Sequence, residues 1–466
     1  MIDVQWIRER PEALQRSLGD RGMEFDVGAL AAQDKEWRSL VGEIDLLRRR
    51  RNEISGEINE LMRKKSDASE KIREAKALPA KIKELEDWSA GLRNALDVAF
   101  LSIPNIPHDS VPVGSDASHN VVVRSWGKKP NFSFTPKHHW ELGEQLNILD
   151  LDRSAKIAGT GFYVLRGDGA RLQRALIQFM LDFHFKNGFV EVCPPLLVNA
   201  KTMRGTGQLP KFEQDLYQTR EGLYLIPTAE VPLTNLHAGE NLLAAELPKR
   251  YCAFTPCFRT EAGRHGTETR GIFRLHQFDK VEMVSICAPE QSWKELEFLR
   301  REAEQLLEQL RIPYQTIVLC TGDMGFAAAK TYDLECWSPA LGKFLETSSV
   351  SNCTDFQARR MQTKYFAGPK TALVNTLNGS GLALPRLFIS LLENNQTARG
   401  TVNVPKVLQP YMGGLTEIGA APKIVSKAKK PKPESRTIPK KAISKKPKSK
   451  PKPIPKKGLK KPLKRK

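Results

Sequence analysis

The chain has 466 residues, of which 40% are hydrophobic and 27% charged, so it is long enough for two or three folded units. Its net charge of +20 is concentrated at one end. Between residues 423 and 466, 18 lysines and two arginines face one acid, Glu434, which leaves residues 1–422 almost neutral. The sequence shows no run of about eighteen apolar residues and no secretory signal layout. These features argue against a membrane or secreted protein and predict a cytoplasmic one.

The seven cysteines are scattered and odd in number, which argues against a disulfide framework. Cys252 and Cys257 form the only close pair, and no second pair follows at the spacing of a zinc site. We therefore expect reduced thiols and no zinc.

Residues 1–28 predict a short helical lead-in, and two heptad registers follow it. Apolar side chains step by three and four from Trp37 to Leu61, and again from Ala75 to Ile103. The polar stretch 64–69 between them suits the tip of an antiparallel helical hairpin. We therefore predict a long hairpin of about 29–103 within an N-terminal arm of residues 1–110.

Each helix of about 35 residues would reach about 50 Å, with little core of its own. Basic residues at 48–51 and 63–65 make a phosphate backbone a candidate partner. A coiled coil that serves dimerisation is the alternative. The arm by itself leaves both open.

From about 115 to 412, short β-like runs alternate with amphipathic helices. The β-like runs are 163–165, 223–226, 252–258, 273–284 and 316–319, and clear helices are 171–186 and 292–310. Hairpin-length connections favour an antiparallel sheet with helices packed on it. The fold class is therefore α+β, with a globular domain at 111–420.

Residues 421–466 repeat Lys-Pro and Lys-Lys steps and contain almost no large apolar residues. Such a segment cannot form a core, so we expect a disordered tail. Its charge suits nonspecific, salt-sensitive binding to polyanions such as RNA.

The residues 258–282 predict a hairpin with a long Gly-rich connection. If residues 273–284 form one strand, Arg274, Phe278 and Glu282 share a face, as do Arg259 and Glu261 on its partner. Guanidinium groups bind phosphate oxygens, a ring stacks on a base and a carboxylate receives an ammonium group. The hairpin thus indicates a nucleotide site, with ordinary surface ion pairs as the alternative.

Two later segments favour the nucleotide interpretation. Asn378–Gly381 leads into a helix that runs to Gln396, with Pro385 and Arg386 in its first turn, where anions bind well. The polar run Glu346–Ser349 follows a strand-like segment and offers a carboxylate and hydroxyls to a metal–phosphate group.

In this order the segments resemble the class II seryl-tRNA synthetases, and the resemblance covers residues 1–412. The segments that resemble the three class motifs are 188–195, 258–282 and 379–386. Those that resemble the family's serine-specific regions are 206–210, 227–230 and 355–360. The arm is similar to the family's arm for tRNA-Ser, whereas the lysine-rich tail is outside the usual family pattern.

The resemblance implies a serine–tRNA ligase with a class II catalytic domain. Such an enzyme forms seryl-adenylate and pyrophosphate from L-serine and ATP, with Mg²⁺, and then charges tRNA-Ser. It also implies a homodimer, and it leaves open whether the tRNA for selenocysteine (tRNA-Sec) is a second substrate.

The resemblance also assigns residues. The implied catalytic residues are Arg259, Glu261, Arg274 and Arg386. The implied serine-binding residues are Thr228, Glu230, Glu282, Asn378 and Ser380. The implied ATP-binding residues are Arg259, Thr260, Glu261, Leu275, Phe278, Glu346, Thr347, Ser348, Ser349 and Arg386. Of these, Glu346 and Ser349 would hold Mg²⁺ together with the ATP phosphates.

Two rival functions differ in testable ways. A synthetase-like ligase that loads a carrier protein would be expected to lack the helical arm. A catalytically inactive nucleic-acid-binding protein with the same fold has no physical reason to keep the complementary polar side chains of Arg259, Glu282, Ser380 and Arg386.

Overall fold

The computed structural model describes residues 1–261 and 270–419, which belong to one compact unit, Met1–Ala420. The predicted tail and the middle of the predicted Gly-rich loop lie outside the described residues. In the described part of the chain, no helix is both long and apolar enough to cross a membrane.

The described α-helices are α1 Gln5–Glu9, α2 Pro11–Asp20, α3 Val27–Arg63, α4 Ser69–Ser102, α5 His139–Gln145, α6 Leu151–Ala158, α7 Asp168–Lys186, α8 Ala200–Thr206, α9 Glu230–Thr234, α10 Ser292–Leu310, α11 Phe356–Met361 and α12 Leu384–Asn394. The described strands are β1 Val121–Trp126, β2 Leu149–Asp150, β3 Val164–Leu165, β4 Val190–Glu191, β5 Leu197–Val198, β6 Tyr224–Leu225, β7 Asn241–Leu242, β8 Lys249–Phe258, β9 Gln277–Cys287, β10 Tyr314–Val318, β11 Lys330–Ser338, β12 Lys343–Asn352, β13 Lys364–Ala367, β14 Lys370–Leu373, β15 Asn375–Ala383, β16 Val402–Asn403 and β17 Glu417–Ile418.

The predicted helical hairpin is confirmed by α3 and α4. The Asp26 carboxylate caps α3 by accepting from the Ala29 N–H. Predicted heptad positions form the buried seam between the two helices: Leu40, Ile44, Ile54, Leu78, Ile82 and Leu85. Pro79 lies inside α4.

Half of the predicted basic run on α3 is engaged in ion pairs between the helices. Arg48 contacts Glu86 at 2.7 Å and Arg50 contacts Glu74 at 3.0 Å, so both help to hold the hairpin closed. Arg49 and Arg51 are exposed. These two side chains are the better placed to reach a phosphate backbone.

The arm is fixed to the sheet domain through a half-buried arginine that follows α2. Arg21 donates to the carbonyl oxygens of Asn105, Met324, Gly325 and Ala328 at 2.8–3.1 Å. Burial lowers the pKa of Arg21 to about 10. The segment that it binds forms part of the wall of the functional cavity described below.

The central sheet has eight strands in the order β1-β10-β11-β12-β15-β9-β8-β4. All neighbours are antiparallel except β4 and β8. The helices α7, α10 and α12 bury apolar side chains such as Met180, Leu306 and Phe388 in the main core. The predicted α+β architecture is therefore confirmed.

The predicted strand 273–284 is wrong at its beginning, because β9 starts only at Gln277. Gly271 has a positive φ of +94°, and a Cβ there would lie 2.2 Å from the His139 ring. The chain therefore turns against α5 before it enters the sheet. Arg274 lies in this turn and does not share a strand face with Phe278 and Glu282.

Three further boundaries differ from the predictions. β8 ends at Phe258, so Arg259 and Glu261 lie beyond it, and Glu261 has a φ of +51°. The run Glu346–Ser349 lies within β12, since pairing with β11 continues through it. The helix α12 ends at Asn394, two residues before the predicted Gln396.

Candidate functional site

Two adjoining cavities of about 360 Å³ each open where the central strands meet α12 and the segment before α9. We call the one beside α12 the main cavity and the other the side cavity. Predicted residues that line the main cavity are Thr228, Glu230, Arg259, Glu261, Arg274, Leu275, Phe278, Glu282, Glu346, Thr347, Ser348, Ser349, Asn378, Ser380 and Arg386. Segments far apart in sequence thus converge on one site.

Thr260 is the predicted ATP-binding residue that does not line this cavity. Its hydroxyl donates to the Gln214 carbonyl oxygen at 2.8 Å, and its N–H donates to the Asp215 carbonyl oxygen at 3.1 Å. Thr260 therefore fastens the end of β8 to the 213–215 segment.

At one end of the main cavity, Glu282 and Lys280 form a buried ion pair with 2.5 Å between the carboxylate and the ammonium group. Both point to one face of β9, because they are two residues apart in a strand. Lys280 also donates to the Thr228 hydroxyl at 2.8 Å. Asn378 and Ser380, on the neighbouring β15, contact the Glu282 carboxylate at 3.4 and 3.5 Å.

Glu230 lies beside this ion pair at the start of α9. Its carboxylate accepts a hydrogen bond of 2.7 Å from the Gln357 side chain. Burial, and next the charge of Glu282, raise the pKa of Glu230 to about 7, whereas Gln357, Lys280 and Arg259 act in the opposite direction. Two carboxyl groups lie at this end of the cavity, but only one lysine is there to balance them. This end of the cavity is therefore suited to bind a further cation.

Three arginines also line the main cavity. Arg259 lies over the Phe278 ring, 5.1 Å from its centre. Arg386, in the first turn of α12, contacts the Glu346 carboxylate at 3.0 Å, and Arg274 lies 3.7 Å from Glu261. All three arginines are at least partly exposed, so these guanidinium groups can reach a polyanion that enters the cavity.

The four residues of the run Glu346–Ser349 do not offer equivalent groups. The Thr347 hydroxyl donates to the Leu345 carbonyl and the Ser348 hydroxyl to the Ser380 carbonyl, at 3.1 and 2.6 Å. Glu346 is half-exposed, with a side-chain exposure of 49%. Glu346 and Ser349 therefore offer the more accessible oxygens of this run.

Asp333 on β11, which the sequence reasoning missed, lies opposite Ser349 in the sheet register. One oxygen of its buried carboxylate has no hydrogen-bond partner. Burial, and then the charge of Glu346, hold the pKa of Asp333 well above its usual range. Among the described residues no group of three or more His, Cys, Asp and Glu side chains is arranged to hold a metal ion.

A buried network holds the returning end of the loop that carries Arg274. The His139 Nε2 accepts from the Ile272 N–H at 3.2 Å, and its Nδ1 lies 3.3 Å from the Glu393 carboxylate. Both His139 and Glu393 are fully buried. Mainly through burial, the pKa of His139 is lowered, so the neutral imidazole can accept this bond.

Lys280 and Gln357 were also missed. Strict period-two alternation from Phe278 to Glu282 would have found Lys280 on the same face. Gln357 lies in a segment that the sequence singled out, but only the tertiary packing of α11 brings it to Glu230.

Two family descriptions match the chain: the seryl-tRNA synthetase N-terminal domain at residues 1–107, and the tRNA synthetase class II core domain (G, H, P, S and T) at residues 211–395. A serine–tRNA ligase of Carboxydothermus hydrogenoformans is 49% identical over 418 residues, covering 89% of this chain and 98% of that protein.

Two solved structures are similar over almost the whole described chain. The seryl-tRNA synthetase from Pyrococcus horikoshii, complexed with ATP, is 40% identical with a TM-score of 0.87, covering 90% of this chain and 99% of that one. The cytoplasmic serine–tRNA ligase from Naegleria fowleri, in complex with AMP, is 30% identical with a TM-score of 0.83, covering 90% and 98%.

Proposed function

The chain belongs to the seryl-tRNA synthetase family, and we propose that its main cavity binds L-serine and ATP side by side for ligation of serine to tRNA. One observation carries the placement of both substrates. The carboxylates of Glu230 and Glu282 and the guanidinium groups of three arginines line a single cavity. An amino acid presents an ammonium group to the first and a nucleotide presents phosphates to the second.

At the acidic end, Glu230 and Glu282 receive the serine ammonium group. Thr228, Asn378 and Ser380 surround the serine hydroxyl. A site that bonds this hydroxyl rejects alanine, because the buried polar partners would otherwise be left unpaired. Discrimination against alanine can reach about four orders of magnitude on this basis.

In the same cavity, Arg259, Arg274 and Arg386 bind the ATP phosphates. Phe278 stacks on the adenine, and Glu261 and Leu275 fix the base. Arg259 lies over the Phe278 ring and Arg386 pairs with Glu346. The ATP phosphates would therefore compete with these partners for the two guanidinium groups.

Glu346 and Ser349 would hold Mg²⁺ together with the ATP phosphates. Both offer hard oxygen ligands, which Mg²⁺ prefers, and the Asp333 carboxyl beside Ser349 has an oxygen with no hydrogen-bond partner. When bound, the ion neutralises phosphate charge.

The reaction itself asks for positioning more than for a protein nucleophile. An oxygen of the serine carboxylate attacks the α-phosphorus of ATP, and the bond from that phosphorus to the pyrophosphate oxygen breaks. The side cavity, which shares Arg259 and Asn378 with the main one, has room for the 3′ end of tRNA in the second step.

The Glu282→Ala variant tests this assignment. We expect it to abolish serine-dependent ATP–pyrophosphate exchange while the far-ultraviolet circular dichroism spectrum stays that of the wild type. Glu346→Gln should instead raise the Mg²⁺ concentration needed for half-maximal exchange. Near-normal exchange by Glu282→Ala would remove Glu282 from the serine site.

We further propose that residues 1–110 form the tRNA-binding arm and residues 111–420 the catalytic domain. The exposed Arg49 and Arg51 are the first candidates for contacts with tRNA-Ser. Charging of purified tRNA-Ser and tRNA-Sec by the same preparation would tell whether both are substrates. Replacing both arginines with glutamine should raise the KM for tRNA and leave amino-acid activation unchanged.

A homodimer is supported by exposed apolar side chains beside an open sheet edge. Val190 on the edge strand β4 is 57% exposed, and Phe185 at the end of α7 is 68% exposed. Pairing of such an edge with a second copy would cover both. Light scattering on a sizing column should give twice the chain mass, and Val190→Lys with Phe185→Glu should reduce it to one chain.

We propose a cytoplasmic location, since all seven cysteines are free thiols.

For the basic tail we propose nonspecific RNA binding that raises affinity for tRNA. Deletion of residues 421–466 should raise the KM for tRNA and flatten its dependence on salt. Unchanged values would leave the tail without this role.

A further inference from the structure

One buried amide supports the acidic end of the main cavity from behind. Gln357 on α11 is 1% exposed, and its Nε2 donates to the Glu230 carboxylate at 2.7 Å and to the Thr206 carbonyl oxygen at 3.2 Å. Its Oε1 accepts from the Thr376 hydroxyl at 2.7 Å. Every polar atom of this side chain is therefore in use.

These neighbours fix which way the amide faces. The Thr206 carbonyl can only accept, so the NH₂ group of Gln357 must point towards it. The amide oxygen is then left for the Thr376 hydroxyl, and the remaining N–H is presented to Glu230. A flipped amide would lose these bonds inside a buried site, where unpaired polar groups are costly.

Glu230 depends on such a donor because its surroundings oppose its charge. Burial and the neighbouring Glu282 favour the protonated carboxyl, and the buried Cys353 thiol lies nearby without adding a positive charge. Lys280 and Arg259 favour the carboxylate, but Lys280 already pairs with Glu282. The Gln357 N–H, 2.7 Å from the Glu230 carboxylate, is a neutral donor that favours its charged form.

We propose that Gln357 is a positioning residue for serine recognition, whose amide N–H keeps the Glu230 carboxylate ionised and directed at the substrate ammonium group. The inference rests on the proposed role of Glu230 and deepens it. Gln357 itself does not line either cavity, so it acts only through Glu230.

The test compares Gln357→Met with the wild type in ATP–pyrophosphate exchange at pH 6.0–8.5. Loss of a hydrogen bond to a charged group should raise the KM for serine about 10- to 100-fold at neutral pH, while the KM for ATP stays within about twofold. Gln362→Met is the matched control, since Gln362 bonds only the nearby Arg359 carbonyl at the surface.

The pH dependence of the KM for serine distinguishes a role of Gln357 in positioning Glu230 from a role in packing alone. Without its donor, Glu230 ionises at higher pH, so the ratio of variant to wild-type KM for serine should shrink as the pH rises towards 8.5 and grow towards pH 6. The ratio cancels the titration of serine itself. A ratio that is constant over this range, or an equal rise in both KM values, would overturn the proposal.

Thr376→Val is the second variant, and it tests the role of Gln357 even if Gln357→Met does not fold. It removes the hydroxyl that orients the amide, so we expect a smaller rise in the KM for serine, about threefold, with the same pH trend. No rise would contradict the proposal.

Glu230→Gln distinguishes an error in the proposed role of Glu230 from an error in the proposed role of Gln357. If it leaves the KM for serine unchanged, the proposed role of Glu230 itself is wrong. If it raises the KM but Gln357→Met and Thr376→Val do not, only the role of Gln357 is refuted.

Discussion

Replacement of Lys280 should affect both the stability of the fold and the binding of serine. Its ammonium group is the cation that pairs with the buried Glu282, and only 8% of its side chain and 1% of the Glu282 side chain are exposed. Lys280→Met would leave the Glu282 carboxylate buried with the polar neighbours Asn378 and Ser380 but no paired cation.

The expected cost is large. Breaking a buried ion pair from one side typically destabilises a protein by about 3–5 kcal/mol. In a domain of this size, about 2 °C of melting temperature corresponds to 1 kcal/mol. The melting temperature of Lys280→Met should therefore fall by about 6–10 °C, and the KM for serine should rise because the Thr228 hydroxyl loses its donor.

Thermal unfolding followed by circular dichroism, together with ATP–pyrophosphate exchange, measures both effects. The matched control is Lys128→Met, a change at an exposed lysine, which should shift the melting temperature by less than about 1 °C. Adding Glu282→Gln to Lys280→Met should restore most of the stability but no serine activation. A melting temperature of Lys280→Met within about 1 °C of the wild type would refute the reasoning.

Three further changes have defined outcomes. Glu230→Gln should melt above the wild type at pH 8, with a difference that closes towards pH 5, because the buried Glu230 has a raised pKa of about 7 and its ionisation opposes folding between its unfolded value and pH 7. His139→Leu should raise the KM for ATP about tenfold and leave that for serine within twofold in the exchange assay, since Ile272 loses its acceptor. Arg21→Met should lower the melting temperature by several degrees in calorimetry, because four carbonyl groups lose their shared donor.

Periodicity accounts for what the sequence predicted well. The heptads of the arm specified its two helices, because a narrow apolar stripe at steps of three and four has only one efficient way to be buried. The motif segments likewise predicted which side chains meet in the main cavity, although the first and last of them are more than a hundred residues apart.

The failures have physical causes. Residues Phe273–His276 look like the start of a strand, but Gly271 and the His139 ring turn the chain aside before β9 begins. Asp333 meets Ser349 only through the register of β11 and β12, and Gln357 meets Glu230 only through tertiary packing. A local pattern contains neither kind of information.

The measurement that tests the central claim most directly is charging of total tRNA with labelled serine by the full-length chain, preceded by ATP–pyrophosphate exchange with each of the twenty amino acids. The account predicts exchange that depends on serine, followed by transfer of label to tRNA. Exchange without transfer would point to a ligase for a carrier protein. Absence of exchange with serine would contradict the account.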